Sequence, residues 1–239
     1  MTRGILIAGN ESSLLAAVGA EAAKRVEHYA EALVPNRLSG ALPAVPAPPR
    51  PAAAGASSDA GGGPPDPRLG VEWNAGSPIS ARTVVIAAEN RLAQINEAIL
   101  VCTPPSVRRR MAELNPADIE IMVNDHIRGW FYLVRELASV FSAKKAGTLA
   151  LVYSEIASGG GKDETADLLG PAAAAAFRAF TKSILAASYQ EPYLTMGFAS
   201  SEPGEEKNFA AFIFRLLDEG SRKNNGRLHK FGRLNLFGR

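Results

Sequence analysis

The fold is decided by the stretch Gly4-Ile5-Leu6-Ile7-Ala8-Gly9-Asn10-Glu11-Ser12-Ser13-Leu14-Leu15. Its four consecutive apolar residues, followed by Gly9 and Asn10, predict a buried strand that ends in a tight turn. Ser12 and Ser13 favour a helix after the turn, because a serine oxygen can accept a hydrogen bond from N–H groups of the first helical turn. We therefore expect a strand, a turn and a helix that runs from Leu14 to about Glu27.

The same alternation of strand and helix continues along the chain. Further strands are predicted at Ala30–Val34, Gly70–Trp73, Ala98–Val101, Thr148–Tyr153, Tyr193–Phe198 and within Gly226–Leu236. Helices are predicted at Ser80–Leu92, Asp118–Phe141, Pro171–Ala187 and Asn208–Glu219, and the second of these follows Asn115 and Pro116, which are typical of a helix start. Strands that alternate with helices form parallel sheets, so the sequence predicts one α/β domain with a doubly wound parallel sheet and helices on both faces.

Residues 38–69 differ in composition from the rest of the chain. They hold half of the sixteen prolines, many alanines and the run Gly61-Gly62-Gly63, and almost no large apolar side chain. Such a stretch cannot bury enough apolar surface to offset its ordering entropy, so we expect a disordered insertion. The chain is then divided into a first β-α-β part (1–37), the insertion (38–69), the remainder of the domain (70–220) and a basic strand or tail (221–239).

Composition argues against several classes of protein. The formal net charge is only +2, which gives no broad field for nucleic acid or a membrane. The apolar runs Ile5–Ala8 and Pro171–Phe177 are too short for a signal-peptide core or a membrane span. Cys102 is the sole cysteine, which fits a reducing compartment. We expect a soluble cytoplasmic protein with no metal site.

Five further segments carry motifs in a recognisable order. Gln94–Pro105 resembles the pattern R-I-D-x-L-V-N-N-A-G, with Cys102-Thr103-Pro104-Pro105 in place of N-N-A-G. Leu114–Asp118 resembles L-T-P-E-D, and Arg128–Val134 resembles K-G-x-F-x-x-T. Thr148–Ser158 resembles R-I-V-N-I-S-S-x-x-G, and Phe180–Ala186 resembles L-T-R-S-L-A. In their order and spacing these segments resemble the short-chain dehydrogenase/reductase family. With the insertion removed, the resemblance covers nearly the whole chain and implies a single Rossmann-type domain.

The resemblance implies a nucleotide-binding turn after the first strand. The family carries T-G-x-x-x-G-x-G there, and its glycines let backbone N–H groups approach a pyrophosphate. Here only Gly9 survives, Ser13 and Leu15 replace the other two glycines, and Glu11 adds a negative charge. Altered NAD or NADP binding is one interpretation, and an ordinary strand, turn and helix is the other. The candidate cofactor contacts are Gly9, Asn10, Ser12, Ser13, Cys102 and Thr103.

The resemblance also implies a catalytic Tyr with a Lys four residues later, supported by a Ser and an Asn. In the family the Lys lowers the pKa of the Tyr hydroxyl, which passes a proton to the carbonyl oxygen of the substrate. The Tyr and Lys positions fall at about Gly170 and Ala174. Whatever the alignment, none of the five tyrosines has a lysine four residues after it. The sequence therefore predicts little or no dehydrogenase activity.

Candidate replacements stand at the family's Ser and Asn positions. The Ser position falls on Glu155, which Tyr153 and Ser154 precede directly. The Asn position falls on His126 if Arg128 and Gly129 anchor the motif, although Asn124 lies two residues earlier. His126 and Glu155 could form a new acid–base pair; the alternative interpretation is a polar residue on a helix and a surface glutamate. Cys102 is interpreted as a small buried residue rather than a reactive thiol.

Two features concern partners. The segment after Ser221 holds six basic residues, no acidic residue, and Phe231 and Phe237. This pattern is typical of a nucleic-acid-binding tail or of a subunit contact, and we favour the contact. In the resembling family the helices that correspond to residues 118–141 and 171–187 pack between subunits, so we expect a homodimer or homotetramer.

Three functions stay open at this point. The first is a non-catalytic or weakly catalytic scaffold or regulator that retains some nucleotide binding. The second is an active NAD(P)-dependent oxidoreductase that uses Tyr153, Ser154 or His126 in place of the lost residues. The third is a module that binds partners through the insertion or the basic tail.

Overall fold

The computed structural model describes residues 3–38, 67–155 and 167–232. Its centre is a seven-stranded sheet made of β1 (Ile5–Asn10), β2 (Tyr29–Val34), β3 (Arg68–Glu72), β4 (Glu97–Cys102), β5 (Thr148–Ser154), β6 (Leu194–Ser200) and β7 (Arg227–Phe231). The strand order is β3-β2-β1-β4-β5-β6-β7, and every pair is parallel. The order reverses between β1 and β4, as in doubly wound folds. The predicted Rossmann-type class is confirmed.

The part of the chain that the structure describes has six α-helices. They are α1 (Ser13–Ala23), α2 (Pro78–Leu92), α3 (Pro116–Val123), α4 (Gly129–Lys144), α5 (Leu169–Ala187) and α6 (Glu206–Glu219). The helix predicted as continuous at 118–141 is divided into α3 and α4 by a π-helical turn, Asn124–Arg128. No helix in the three described ranges is both long and apolar enough to span a bilayer.

Alternate residues of the central strands fill two apolar layers. Ile5 and Ile7 of β1 pack in the layer beneath α1 and α6, whereas Leu6 and Ala8 pack in the layer beneath α2, α4 and α5. All four side chains are fully buried. Because β1 is covered on both faces, its sequence is a continuous apolar run rather than an alternating pattern.

The helix starts follow from side-chain caps. Ser12 Oγ accepts a hydrogen bond from the N–H of Leu15 at 3.1 Å, and Asn115 Oδ1 accepts one from the N–H of Ala117 at 3.0 Å. Both caps were predicted from residue type alone. Helix α2 begins at Pro78, two residues earlier than predicted, because Ser77 caps it through the N–H of Ser80.

The segment around the predicted insertion is more ordered at its ends than the composition indicated. Leu38 is buried beside Val107 and Met122. Arg68 and Leu69, which the sequence placed in the insertion, belong to β3 and pair with β2. The remaining insertion residues, 39–66, lie outside the described residues, as do residues 233–239 of the predicted tail.

Candidate functional site

The candidate site lies at the carboxyl edge of the sheet. Ligands of doubly wound folds bind in the crevice outside the strand ends at the point where the strand order reverses, which here is between β1 and β4. Asn10 and Cys102 end these two strands, and Ser154 ends the neighbouring strand β5. The fold therefore brings most of the candidates predicted from sequence to one edge.

The turn after β1 is filled by Leu15. The Leu15 side chain is fully buried, and its Cδ1 lies 2.9 Å from the point where a Cβ on Gly9 would stand. The carbonyl oxygen of Val101 lies 2.6 Å from the same point, so glycine is required at position 9 by packing against β4. The Oγ of Ser12 already accepts from the N–H of Leu15, one of the donors that a phosphate at a helix N-terminus would use. Ser13 is exposed on the first turn of α1.

Asn10 and Thr103 bring unpaired polar atoms to the edge. Within the described residues, Asn10 Oδ1 and Thr103 Oγ1 are buried and have no hydrogen-bond partner. Leaving such an atom unpaired costs about 1–3 kcal/mol, so both atoms favour a water molecule or a ligand beside them. Within the same three ranges, no group of three or more His, Cys, Asp or Glu residues could hold a metal ion.

Cys102 lies in the apolar layer beneath α2, α4 and α5. Its side chain is buried, and burial raises the pKa of the thiol. A thiol that stays protonated is a poor nucleophile, so the geometry fits the interpretation of Cys102 as a small buried residue.

Tyr153 lies near the end of β5 and Glu155 directly follows the strand, and the two side chains have different environments. Tyr153 is buried against Phe177, and its pKa is raised by burial and by the charge of Glu155, against a smaller opposing effect of Arg178. A Tyr that donates a proton near neutral pH needs the opposite shift. The carboxylate of Glu155 lies 3.3 Å from Lys230 Nζ of β7.

His126 lies in the π-helical turn and is almost completely buried. Among the described residues, neither of its ring nitrogens has a hydrogen-bond partner. Burial lowers the pKa of His126 to about 4; the charge of Asp125 raises it and that of Arg37 lowers it. The imidazole is therefore neutral at pH 7. The structure does not pair His126 with Glu155, whose carboxylate faces Lys230.

Arg37 and Asp125 form an ion pair that sequence reasoning missed. The guanidinium of Arg37, just after β2, contacts both carboxylate oxygens of Asp125, with Nη2 at 2.5 Å from Oδ1 and 2.6 Å from Oδ2. The Asp125 side chain is fully buried. The pair joins the end of β2 to the π-helical turn, beside the crevice. The two residues are 88 positions apart, so no local pattern indicates it.

Gly170, on which the sequence placed the family's Tyr position approximately, is closely packed by a carboxylate and a backbone carbonyl. A Cβ on Gly170 would lie 2.6 Å from Asp167 Oδ2 and 3.0 Å from the carbonyl oxygen of Pro105. Residues 105–108, which we call the strap, run from the end of β4 to the start of α5, where Arg108 forms an antiparallel bridge with Asp167. A side chain at residue 170 would therefore have to displace the Asp167 carboxylate and shift the Pro105 carbonyl slightly.

The comparisons with known proteins agree with this topology. No family model matches the chain, and no curated protein matches its sequence. Among solved structures, an NADH-dependent reductase complexed with NAD superposes with a TM-score of 0.67 at 12% identity, covering 96% of this chain and 95% of that one. A short chain dehydrogenase from Bacillus anthracis gives 0.67 at 12% identity, with coverage of 96% and 94%.

A variant of the short-chain dehydrogenase/reductase from Serratia marcescens gives a TM-score of 0.61 at 13% identity, with coverage of 96% and 95%. This chain has the short-chain dehydrogenase/reductase fold. At such identities the likeness extends to the fold alone.

Proposed function

We propose that this chain is a non-catalytic or weakly catalytic protein with the short-chain dehydrogenase/reductase fold, acting as a scaffold or regulator. One observation carries the proposal. The motif spacing puts the family's Tyr position at about Gly170, and Asp167 Oδ2 and the Pro105 carbonyl oxygen lie 2.6 Å and 3.0 Å from the point where a Cβ on Gly170 would stand. No tyrosine in the chain has a lysine four residues after it. Without a phenol held beside an ammonium group, the crevice has no ready proton donor for a carbonyl.

Nucleotide binding is proposed to be weak. The Ser12 cap takes one N–H of the helix terminus, Leu15 adds bulk under the turn, and Glu11 is an acidic residue on the turn itself. Arg37 is the first arginine after β2, and its guanidinium charge is already neutralised by the buried carboxylate of Asp125. Weakened NAD or NADP binding follows from these contacts together.

The test is a titration with NADH and with NADPH, followed by nucleotide fluorescence and by melting temperature, together with turnover of a panel of carbonyl substrates. A ligand present at 100 times its Kd would stabilise the fold by about 2.7 kcal/mol. We expect little or no shift at millimolar nucleotide and no turnover above the buffer rate. Saturable binding with turnover would overturn the proposal.

A second candidate function is an oxidoreductase that uses His126 in place of the lost residues. The observation in its favour is that His126 is buried, neutral and without a hydrogen-bond partner within the described residues. The motif spacing also puts the family's supporting Asn near this residue. A neutral imidazole can donate or accept a proton at a reacting group. If turnover is found, its loss in His126→Asn, with nucleotide binding retained, would support this candidate.

Self-association through α4 and α5 is proposed as the basis of the scaffold role. Phe131 is 51% exposed on α4, and its ring centroid lies 4.2 Å from that of Phe180 on α5. Ile119 and Val123 extend the apolar surface along α3. A shallow apolar groove lies beside these rings, lined by Ile127, Trp130, Phe131, Ala176, Phe177 and Phe180. A protruding ring next to a groove is self-complementary across a twofold axis, which favours a homodimer.

We also propose that the protein is cytoplasmic and that its basic segment after Ser221 has a structural role. The unpaired, buried Cys102 fits the reducing cytoplasm. The pairing of Lys230 with Glu155 supports a structural role for the basic segment rather than nucleic-acid binding.

A further inference from the structure

Asn225 is followed by Gly226, and it is the sole asparagine of the chain that precedes a glycine. The peptide nitrogen after an asparagine can attack the side-chain Cγ, which closes a five-membered succinimide and releases the amide nitrogen as ammonia. Water then opens the ring to aspartate or isoaspartate. A following glycine favours ring closure, because it has no Cβ beside the attacking nitrogen and leaves the backbone free to rotate. The dipeptide is therefore chemically labile.

The fold holds both reacting groups of this dipeptide in hydrogen bonds. Asn225 Oδ1 accepts one from the N–H of Thr195 at 2.7 Å, and the N–H of Gly226 donates to the carbonyl oxygen of Thr195 at 2.8 Å. Asn225 Nδ2 donates to the carbonyl oxygen of Ser188 at 3.4 Å. We call these three hydrogen bonds the clamp. They attach the dipeptide to the start of β6, directly before β7 begins at Arg227.

Ring closure is incompatible with the clamp. The peptide nitrogen of Gly226 reaches Cγ of Asn225 only after rotation about the Cα–C bond of Asn225 brings this nitrogen beside Cβ. In the structure ψ of Asn225 is 136°, an extended value that keeps the nitrogen away from the side chain. The rotation would also break the hydrogen bond from Gly226 to Thr195. The dipeptide is therefore protected until it separates from β6.

The fold also requires the two residues that make the dipeptide labile. Gly226 has a φ of 71°, in the left-handed region, and a Cβ there would lie 2.6 Å from Ser188 Oγ. Asn225 uses its amide as an acceptor and as a donor at once, which a carboxylate cannot do. Since a less labile pair would lose part of the clamp, protection has to come from the attachment of the segment itself.

Separation of β7 from β6 would expose the dipeptide. In the described sheet β7 is the last strand, and none of its five residues is fully buried. Its Leu228 packs against the apolar layer beneath α2, α4 and α5, where Leu228 Cδ1 lies 3.0 Å from the point at which a Cβ on Gly197 of β6 would stand. A half-buried strand at the end of a sheet opens at a lower free energy than the central strands.

We propose that Asn225 is a deamidation site whose reaction is gated by the attachment of β7 to β6. While the clamp is closed the amide is protected. When β7 separates, the nitrogen of Gly226 attacks Cγ of Asn225, ammonia leaves, and water opens the ring. Neither product restores the clamp, because aspartate cannot donate to the Ser188 carbonyl oxygen and isoaspartate adds a main-chain atom between residues 225 and 226. The modification therefore makes a reversible opening permanent.

Peptide mapping by mass spectrometry measures aspartate and isoaspartate at position 225 after incubation of the wild type in mildly alkaline buffer. We expect deamidation of Asn225 to be at least about tenfold slower in the folded protein than in the protein unfolded by urea, since only the locally open fraction reacts. Equal rates in the two conditions, or no deamidation in urea, would overturn the proposal.

Leu228→Ala distinguishes separation of β7 from global unfolding, because this side chain packs β7 onto the domain without belonging to the clamp. Leu92→Ala is the matched control, since Leu92 is also a partly buried leucine packed against the same layer but ends α2, which packs on β2 and β3. At equal loss of stability in urea, we expect deamidation at least about threefold faster in Leu228→Ala than in Leu92→Ala. Rates that follow global stability alike in both variants would contradict gating by β7.

Amide exchange gives a second measurement, which decides if Leu228→Ala does not fold. In the wild type we expect the amide of Gly226 to exchange faster than those of β1 and β4, and equal protection would contradict local opening. Asn225→Asp reproduces one product, and we expect exchange at Gly226 to rise at least about threefold in it, because the donor to Ser188 is lost. Wild-type protection in Asn225→Asp would show that the product restores the clamp.

Discussion

Gly170 shows how one residue determines what fits at the start of α5. Its Cα is enclosed by Asp167 and by the Pro105 carbonyl oxygen. The Asp167 carboxylate is the nearer of the two at 2.6 Å, and it also accepts the N–H of Gly170, so a methyl group at this position must move this carboxylate and shift the Pro105 carbonyl by a few tenths of an ångström.

We predict that Gly170→Ala lowers the free energy of unfolding by about 1–2 kcal/mol, even though alanine is the better helix former. Urea denaturation measures the change. Gly70→Ala is the matched control, since no atom lies within 4 Å of a Cβ added at Gly70 in β3. Equal free energies of unfolding for Gly170→Ala and Gly70→Ala would contradict the close packing described around Gly170.

His126 is predicted to make stability depend on pH. Its pKa is about 4 in the folded protein and 6.5 in the unfolded chain, mainly because burial disfavours the charged ring. The unfolded state therefore binds more protons between these values. The contribution of His126, up to about 3 kcal/mol, is fully present above pH 6.5 and is lost as the pH falls toward 4.

Urea unfolding at several pH values, in the wild type and in His126→Gln, measures this dependence. The free energy of unfolding is expected to fall less steeply between pH 6.5 and 4 in the variant than in the wild type. Asp218 and Glu21 also lose stabilising contributions toward pH 4: burial raises the pKa of Asp218, but its partners Arg3 and Arg25 lower it by more, and Lys24 and Arg25 lower the pKa of Glu21 in the folded protein. Both proteins share these contributions, so the difference between the two slopes reports His126. Identical slopes in the two proteins would mean that His126 titrates normally.

At the scale of the element, the π-helical turn between α3 and α4 carries the buried charge of Asp125. The turn packs closely on the segment after β3, because a Cβ on Gly76 would lie 3.2 Å from both Asn124 Cβ and Asp125 Oδ1. Arg37 neutralises Asp125 from the end of β2. The position of the turn beside the crevice thus depends on an ion pair as well as on packing.

We predict that Arg37→Met destabilises the fold by about 2–3 kcal/mol, since it leaves a buried carboxylate unpaired. Asp125→Asn should cost less, because Arg37 is 44% exposed and can be solvated by water. The double variant should resemble Asp125→Asn alone, which gives a coupling energy of more than about 1 kcal/mol in a double-mutant cycle. Additive effects of the two substitutions would argue against a coupled pair.

At the scale of the whole molecule, the apolar surface of α4 and α5 determines the assembly that we propose. We predict that Phe131→Glu converts a dimer into a monomer, because it places a charge in the centre of the apolar contact. Sedimentation velocity measures the assembly. Ile86→Glu is the matched control, since Ile86 is 48% exposed on α2, compared with 51% for Phe131, and lies outside the proposed contact. A monomeric wild type, or equal dissociation in both variants, would contradict this interface.

Much of the whole architecture was predictable because each element carries its own local signals. Ser12 and Asn115 cap helices α1 and α3 as their residue types indicate, and Ile5–Ala8 forms a strand buried on both faces. The π-helical turn was not predictable, since residues 116–144 read as one amphipathic helix. The end of the insertion at Arg68 was missed because charged and small residues in β3 are recognised as a strand only through their pairing with β2.

The sequence by itself determined the class of fold, the helix starts and the absence of a lysine four residues after any tyrosine. These properties depend on residues within a few positions of one another, where periodicity and capping act. Only the tertiary structure decided that Arg37 neutralises Asp125, that Leu15 fills the turn at Gly9, and that Asp167 holds the strap against Gly170. Those contacts depend on close packing between elements, in two cases across 88 and 60 positions of the chain, and no local pattern encodes such distances.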